Sequence, residues 1–218
     1  SDCNSKPSVK AALWIFLMTL LPALAAAEIS PQNRQLYLQA DKAMGQYRWS
    51  DVRQIRDQLA NYPLAIYIDY YMLESRLRQV DGAEASAFMV EAQNTPLQIR
   101  FKDKYLRRAG RDRRWQDFLA VATTMPRDVE LQCYYHRAQY SQGLKDEAWA
   151  GARHLWNHGE SRPKAGNPLF DAWMDDDQLD DDLIWSRMMK AVDERQGGLA
   201  QYVGKMGSPE LAAWADTM

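Results

Sequence analysis

Apolar residues recur at intervals of three to four positions from Ile29 onwards, and no segment alternates convincingly between apolar and polar residues. The first spacing places apolar side chains on one face of an α-helix, whereas strict alternation would indicate a half-buried strand. The pattern therefore predicts an all-α fold built from short consecutive helices. The predicted helices span residues 31–46, 49–61, 63–80, 83–93, 96–109, 112–123, 128–142, 144–157, 167–175, 180–194, 197–205 and 208–217.

The breaks between the predicted helices share a pattern. In segments 45–49, 110–115 and 143–149 a glycine and a polar turn precede a tryptophan near the start of the next helix. A proline follows each of these helices, at Pro63, Pro126 and Pro163. Such units are typical of degenerate helix-turn-helix repeats, which bury their apolar faces by stacking on their neighbours in a superhelical array, or α-solenoid. An irregular helical bundle with chance similarities is the alternative.

The segment 144–157 illustrates the helical spacing. Ala148, Ala152 and Leu155 fall on one face, with Trp149 and Trp156 beside them. The polar residues Lys145, Asp146, Arg153 and Asn157 fall on the other side. Small residues allow a second helix to approach closely, so the pattern indicates packing rather than chemistry.

The first 27 residues are typical of a secretory signal peptide. Lys6 and Lys10 precede the apolar run 11–24, and Ala25 to Ala27 offer a cleavage site. The alternative is an uncleaved membrane anchor, for which the run is short. Residues 28–218 would then form an exported helical domain without a stable membrane span.

Composition excludes some function classes. The chain has 27 Lys and Arg against 29 Asp and Glu, a formal net charge of −2, so we expect no nucleic acid partner, and composition does not point to a strongly charged groove. Removal of the signal peptide would leave Cys133 alone, which predicts no intramolecular disulfide. A small buried apolar side chain is the favoured interpretation of Cys133, with a reactive thiol as the alternative.

Histidines and aspartates are the first candidates for metal binding. His154 and His158 have the i, i+4 spacing of zinc ligands, but His136 lies on another predicted helix and no further ligand follows. Exposed positions near a helix C-terminus are the favoured interpretation. The runs 175–177 and 180–182 are all aspartate, yet they lack the glycine and final glutamate of a calcium loop, which favours helix capping. We therefore predict no metal site.

The tyrosine-rich segment 62–77 is a candidate sugar platform. Leu64, Tyr67 and Tyr71 recur at helical spacing, however, and we interpret them as the apolar stripe of a core helix. Motifs of a nucleophile elbow, a phosphate-binding loop or a catalytic triad are lacking, so we predict no catalytic residues and no cofactor.

Several short motifs occur together along the chain. They are Tyr62-Pro63-Leu64 with Tyr67, Asp69 and Tyr70; Arg100-Phe101; Trp115 with Phe118-Leu119; Gln132-Cys133-Tyr134-Tyr135; and the segment 143–156 followed by Ser161, Pro163, Leu169-Phe170 and Trp173. From about residue 31 onwards, the chain resembles the N-terminal part of the soluble lytic murein transglycosylases, periplasmic enzymes of Gram-negative bacteria.

The resemblance implies a superhelical, U-shaped array of helix pairs that precedes a separate catalytic domain. In that domain one glutamate, in a Glu-Ser context, cleaves murein glycan to 1,6-anhydro products. Glu74-Ser75 and Glu160-Ser161 match only the dipeptide and lie in the helical array, so neither inherits the catalytic role. The resemblance also implies a partner for Cys133 in the segment 165–167, where this chain has no cysteine.

These observations lead to one hypothesis and one alternative. The chain is interpreted as the non-catalytic scaffold of a periplasmic lytic transglycosylase, with murein glycan strands, the enzyme's own catalytic domain, or both as partners. The apolar series from Leu199 to Trp214 near the C-terminal end favours a truncated chain, because a free solenoid needs a polar cap. The alternative is a stand-alone periplasmic adaptor that binds a partner protein.

Overall fold

The structure, a computed structural model, describes residues 30–217, and within that range it contains twelve α-helices and no strand. The helices are α1 Pro31–Gly45, α2 Trp49–Asp57, α3 Ala65–Ser75, α4 Gly82–Glu91, α5 Pro96–Arg111, α6 Trp115–Val121, α7 Val129–Ser141, α8 Lys145–Trp156, α9 Asn167–Asp175, α10 Asp181–Asp193, α11 Gly197–Gly204 and α12 Pro209–Ala215. A 3-10 helix, Lys164–Gly166, precedes α9. The predicted all-α class is confirmed. The predicted signal peptide, residues 1–27, lies outside the described residues.

None of the described helices combines the length and the apolar character that crossing a membrane requires.

The chain divides into two compact units, one ending at Ile68 and one beginning at Asp69. In the first unit α1 packs against α2, and the buried side chains include Ala40, Ala43 and Val52. The rings of Tyr37 and Tyr62 also meet there, with centroids 5.7 Å apart. This unit therefore has an apolar core of its own.

The second unit consists of helices that pack mainly against their near neighbours in the chain. Contacts join α4 to α5 and α6, then α6 to α7, α7 to α8 and α8 to α9. Further along, α10 packs on α11 and α11 on α12. Neighbour-to-neighbour packing of this kind is what the prediction of an array of helix-turn-helix units requires.

Four turns between helices share one backbone geometry. Each contains a residue in the left-handed conformation: Tyr47 (φ 56°), Arg113 (φ 56°), Gly143 (φ 82°) and Arg195 (φ 58°). The N–H of the following residue donates to the carbonyl five residues earlier, as in the 3.0 Å bond from Arg48 to Ala43 and the 2.7 Å bond from Gln196 to Ala191. These bonds close a Schellman motif, and the donating residue is also the N-cap of the next helix.

Each shared turn leads to a fully buried position. The fourth residue after the N-cap has no exposed surface in any of the four helices; these residues are Val52, Phe118, Ala148 and Ala200. The predicted repeat is thus present at 45–49, 110–115 and 143–149. A fourth copy of the turn, around Arg195, was not predicted.

The interpretation of Leu64, Tyr67 and Tyr71 as a core stripe is wrong, because these side chains are 41%, 36% and 41% exposed. The buried face of α3 is carried instead by other residues, Ile68 and Tyr70 among them. The helix also ends at Ser75, five residues before the predicted end. Because the segment is apolar nearly all round, its sequence does not define which face is buried.

A polar clamp fixes the turn between α3 and α4. Arg114 donates from Nη1 to the carbonyl of Val80 (2.7 Å) and from Nη2 to that of Leu77 (3.2 Å). Asp117 Oδ1 accepts from the N–H of Gly82 at the start of α4 (2.9 Å). Both side chains belong to the segment that begins α6, so α6 holds the preceding turn in place.

The left-handed turns predict opposite effects for two substitutions. Replacing Gly143 by alanine should lower the free energy of unfolding by about 1 kcal/mol, because a Cβ is disfavoured at positive φ. Replacing Arg195 by glycine should raise the free energy of unfolding by about 0.5 kcal/mol. Glycine relieves the same strain, but it also loses more conformational entropy on folding, which offsets part of the gain. Urea denaturation measures both. A neutral Gly143→Ala variant would contradict this account of the turn.

Candidate functional site

Helix α8 is a packing element, as predicted. Ala148, Ala152 and Leu155 are buried together with the two tryptophans of the helix. The ring of Trp149 stacks on Tyr140 with centroids 4.6 Å apart. The role predicted for the small residues is therefore confirmed, and space that could take a ligand lies in cavities between helices.

The first cavity, which we call the α3–α5 cavity, is strongly cationic. It measures about 490 Å³ and lies between the end of α3 with its following turn and helix α5. Its charged lining comprises Glu74 and six basic residues: Arg76, Arg78, Lys104, Arg107, Arg108 and Arg111. Composition did not point to this cavity, because folding gathers cations that the nearly neutral composition does not reveal.

Ion pairs hold most of these cations in place. Arg76 pairs with Glu84 and Lys104 with Glu74. Three carboxylates surround Arg107, those of Asp103 (3.1 Å), Asp128 (3.0 Å) and Glu130 (2.5 Å). Arg108 pairs with Asp112 at 2.7 Å.

Two cations of the same cavity remain available. In the range 30–217, Arg78 and Arg111 are exposed and form no ion pair. This surface was not predicted, although the sequence carries a signal for it: the basic residues Lys104, Arg107, Arg108 and Arg111 recur at the spacing of one helix face. The available charges make the cavity suited to an anionic ligand.

A second cavity, the α8–α10 cavity, contains both histidines of the predicted pair. It measures about 690 Å³, and its basic lining residues are Arg153, His154, His158, Arg162 and Lys190. His154 lies in the last turn of α8, and both histidines are exposed, as predicted. His158 Nδ1 accepts a hydrogen bond from the N–H of Glu160 (3.2 Å). Among the described residues, no three His, Cys, Asp or Glu side chains are grouped to hold a metal ion.

Aspartates of the two runs accept hydrogen bonds that cap helices or link them. Asp180 Oδ1 accepts from the N–H of Leu183 (2.7 Å) and caps α10. Asp181 accepts from the N–H of Ser208 (3.0 Å). Asp176 accepts 2.8 Å bonds from Lys145 Nζ and Trp149 Nε1, which link α9 to α8. The capping role is confirmed for Asp180.

A third cavity, the α9–α11 cavity, measures about 470 Å³ and is lined by residues between Trp156 and Met206. It differs from the others because it contains a buried arginine, Arg187, beside the half-buried Arg162. Arg187 of α10 and Arg162 both line it, and the Nε atom of each is buried without a hydrogen-bond partner among the described residues. No sequence motif marked either residue.

His136 is a buried residue of α7. Its Nδ1 lies 2.8 Å from Gln139 Oε1, and burial lowers its pKa below the ordinary value. The imidazole ring also packs on Gly151 of α8: a Cβ added to that glycine would lie 2.2 Å from the ring. Only glycine permits this close approach of α7 and α8.

Cys133 is the buried, free cysteine that the favoured interpretation predicted. Burial raises the pKa of its thiol to about 11, which makes a reactive thiolate unfavourable. A Cβ added to Gly166 would lie 3.0 Å from Cys133 Sγ. This position falls in the segment 165–167, where the resemblance implies a partner cysteine.

The surroundings of the two Glu-Ser dipeptides differ from those that a catalytic acid needs. The carboxylate of Glu74 is paired with the Lys104 ammonium, whereas an acid that cleaves a glycosidic bond must be able to give its proton to that bond. Glu160 is exposed after α8, and its N–H donates to His158. That neither carries catalysis stays a prediction.

The fold and cavities define a class, a helical-repeat protein with cationic cavities, and comparison with known proteins narrows this class. The chain is 27% identical to a soluble lytic murein transglycosylase of Escherichia coli K12 over 188 residues, 86% of its length. A complex of the 70 kDa soluble lytic transglycosylase with bulgecin A matches 85% of the chain at a TM-score of 0.74 and 25% identity. An inactive mutant of the lytic transglycosylase Slt from Pseudomonas aeruginosa matches 84% at 0.69 and 30% identity. No family model matches the chain.

The predicted similarity to the soluble lytic murein transglycosylases, in their N-terminal superhelical region, is therefore confirmed. The chain spans 29% of the length of the curated Escherichia coli relative and 30% of each of the two solved chains.

The buried His136 predicts a pH-dependent stability. Its lowered pKa means that the folded protein favours the neutral ring, so the stability it contributes is complete above pH about 6.5 and is lost as the pH falls below that value. The loss should approach about 1.4 kcal/mol per pH unit until the folded pKa is reached. Urea denaturation at pH 7.5 and 5.5 should show a larger loss for wild type than for His136→Gln; equal losses would contradict this account.

The position of Gly166 predicts that Gly166→Cys forms a disulfide with Cys133. The 3.0 Å separation is close to the distance between a Cβ and the partner sulfur when the S–S bond is about 2.05 Å. The φ of Gly166 is −79°, which any residue adopts, and the Phe170 ring must move slightly. We expect about 2 to 4 kcal/mol of added stability, abolished by dithiothreitol.

Peptide mapping by mass spectrometry identifies this bond, and the double variant Cys133→Ser/Gly166→Cys is the matched control. A new cysteine that stays free under oxidising conditions would show that this account of the Cys133 geometry is wrong.

Proposed function

We propose that residues 30–217 form the non-catalytic scaffold of a periplasmic lytic murein transglycosylase, and that this scaffold holds murein glycan strands in position for cleavage elsewhere. The observation that carries the proposal is the similarity to soluble lytic murein transglycosylases over 86% of the chain. The scaffold contributes to cleavage through orientation, because a strand held in register reacts as if its local concentration were raised.

The α3–α5 cavity is the proposed murein contact. Murein peptides carry free carboxylates, and Arg78 and Arg111 offer two cations without carboxylate partners among the residues described. The ion-paired Arg107 and Arg108 keep the cavity wall rigid, since their guanidinium groups are already fixed by α5 and its neighbours. Attraction of this kind weakens with salt, because exposed charges are screened.

Incubation with purified Gram-negative murein sacculi tests this function. We expect the protein to sediment with the sacculi and to release no 1,6-anhydromuropeptides, and an active lytic transglycosylase provides the positive control. The double variant Arg78→Gln/Arg111→Gln should bind at least three-fold more weakly at about 50 mM salt, with a smaller difference at about 500 mM.

The matched control is Arg127→Gln, which removes an exposed cation outside the α3–α5 cavity. Release of 1,6-anhydromuropeptides by the isolated chain would show that it is catalytic. Absence of sedimentation would overturn the glycan-holding role and favour the protein-binding adaptor.

A further inference from the structure

A buried arginine without a protein partner distinguishes the α9–α11 cavity. Arg187 is only 6% exposed, and within residues 30–217 its guanidinium forms neither a hydrogen bond nor an ion pair. Its central carbon lies 4.5 Å from the centre of the Trp156 ring, so the indole covers one face of the cation. The five N–H donors of the guanidinium therefore have no acceptor within that range.

Such an arrangement is costly for a protein that uses it only for packing. Removing a charge from water carries a penalty of several kcal/mol unless an opposite charge or hydrogen bonds compensate. Burial, with a contribution from the neighbouring Arg162, lowers the pKa of Arg187 to about 10, yet the group still carries its charge at neutral pH. Of the nitrogens of Arg187, only Nε is fully buried without a partner, and an anion bound in the cavity would supply the compensation that the described residues lack.

A second, half-buried arginine lies at the same cavity. Arg162, in the segment between α8 and α9, also lines it and also has a buried Nε without a partner in the described part of the chain. Two guanidinium groups at one cavity form the pair of planar donors that suits a carboxylate, which accepts hydrogen bonds on both oxygens.

The remaining lining determines the kind of anion. Asp171 contributes one negative charge, so the two arginines leave a single excess positive charge, which matches a carboxylate better than a doubly charged phosphate. The rest of the lining mixes polar side chains with apolar ones, among them Phe170, Leu199 and Tyr202. The apolar side chains favour a ligand whose anionic group is attached to an uncharged, partly apolar body.

We propose that the α9–α11 cavity binds the free C-terminal carboxylate of a short peptide, held by Arg187 and Arg162. The site goes beyond the proposed scaffold function and does not rest on it, because none of its residues lines the α3–α5 cavity. The cavity of about 470 Å³ has room for a dipeptide. Peptides of either chirality present the same carboxylate, and the experiment distinguishes these two sources.

Isothermal titration calorimetry of the full chain tests the site with four kinds of probe. They are N-acetyl-L-alanyl-L-alanine, N-acetyl-D-alanyl-D-alanine, their C-terminal amides and inorganic phosphate. We expect at least one carboxylate peptide to bind, with its amide at least ten-fold weaker. Preference for the D-peptide assigns the ligand to wall-type peptides, and preference for the L-peptide assigns it to protein C-termini.

Two variants connect binding to the arginines. Arg187→Met keeps an unbranched, apolar stem without the charge and should weaken peptide binding at least ten-fold, while its unfolding temperature should equal or exceed that of wild type, because an unpaired buried charge is removed. Arg162→Gln should also weaken binding and guards against a folding failure of the first variant. Arg127→Met is the control with an exposed cation removed.

Four results would overturn the proposal. They are lack of binding by both carboxylate peptides at about 10 mM, tighter binding of phosphate than of either peptide, unchanged peptide binding in both variants, and a lowered unfolding temperature for Arg187→Met. The last result would show that the guanidinium has a structural role, which a site waiting for a ligand does not require.

Discussion

The left-handed turn that joins consecutive helices is the constraint on which the rest of the structure depends. Helices α2 and α6 are only 9 and 7 residues long, too short to be stable alone in water. The turn solves this problem locally, because one residue both closes the preceding helix and begins the next. Four residues later, the chain places a side chain in the core, and so the second helix of each pair is fixed by a buried residue close to its start.

Charges in this protein follow from the same packing. The chain is nearly neutral as a whole, yet α5 directs a row of basic side chains to one cavity while its carboxylates pair around the edge. The second unit also buries Arg187 against Trp156 without a counter-charge among the residues described. The first arrangement offers exposed cations suited to an anionic polymer, and the second offers a buried guanidinium suited to one small anion.

Much of the fold could be predicted from the sequence because apolar spacing is a local property. It indicated the twelve helices, and the glycine-to-tryptophan pattern indicated three of the four shared turns. The turn at Arg195 was missed because arginine, unlike glycine, is not a sequence signal for a left-handed conformation. The buried face of α3 was misassigned because the helix carries apolar residues nearly all round. The binding surfaces could not be predicted in the same way. The α3–α5 cavity combines a turn near residue 77 with a helix some thirty residues later, and Arg162 and Arg187 are isolated in the sequence, so their significance comes from burial and from the absence of acceptors in the described structure.

Hydrogen exchange with mass spectrometry, in the presence and absence of soluble murein glycan strands, tests the central claim most directly. We predict slower exchange in the turn that follows α3 and in helix α5, which together form the α3–α5 cavity, with the glycan recovered uncleaved. Unchanged exchange in these two segments, or conversion of the glycan to 1,6-anhydro products, would contradict the claim that this helical array holds murein without cutting it.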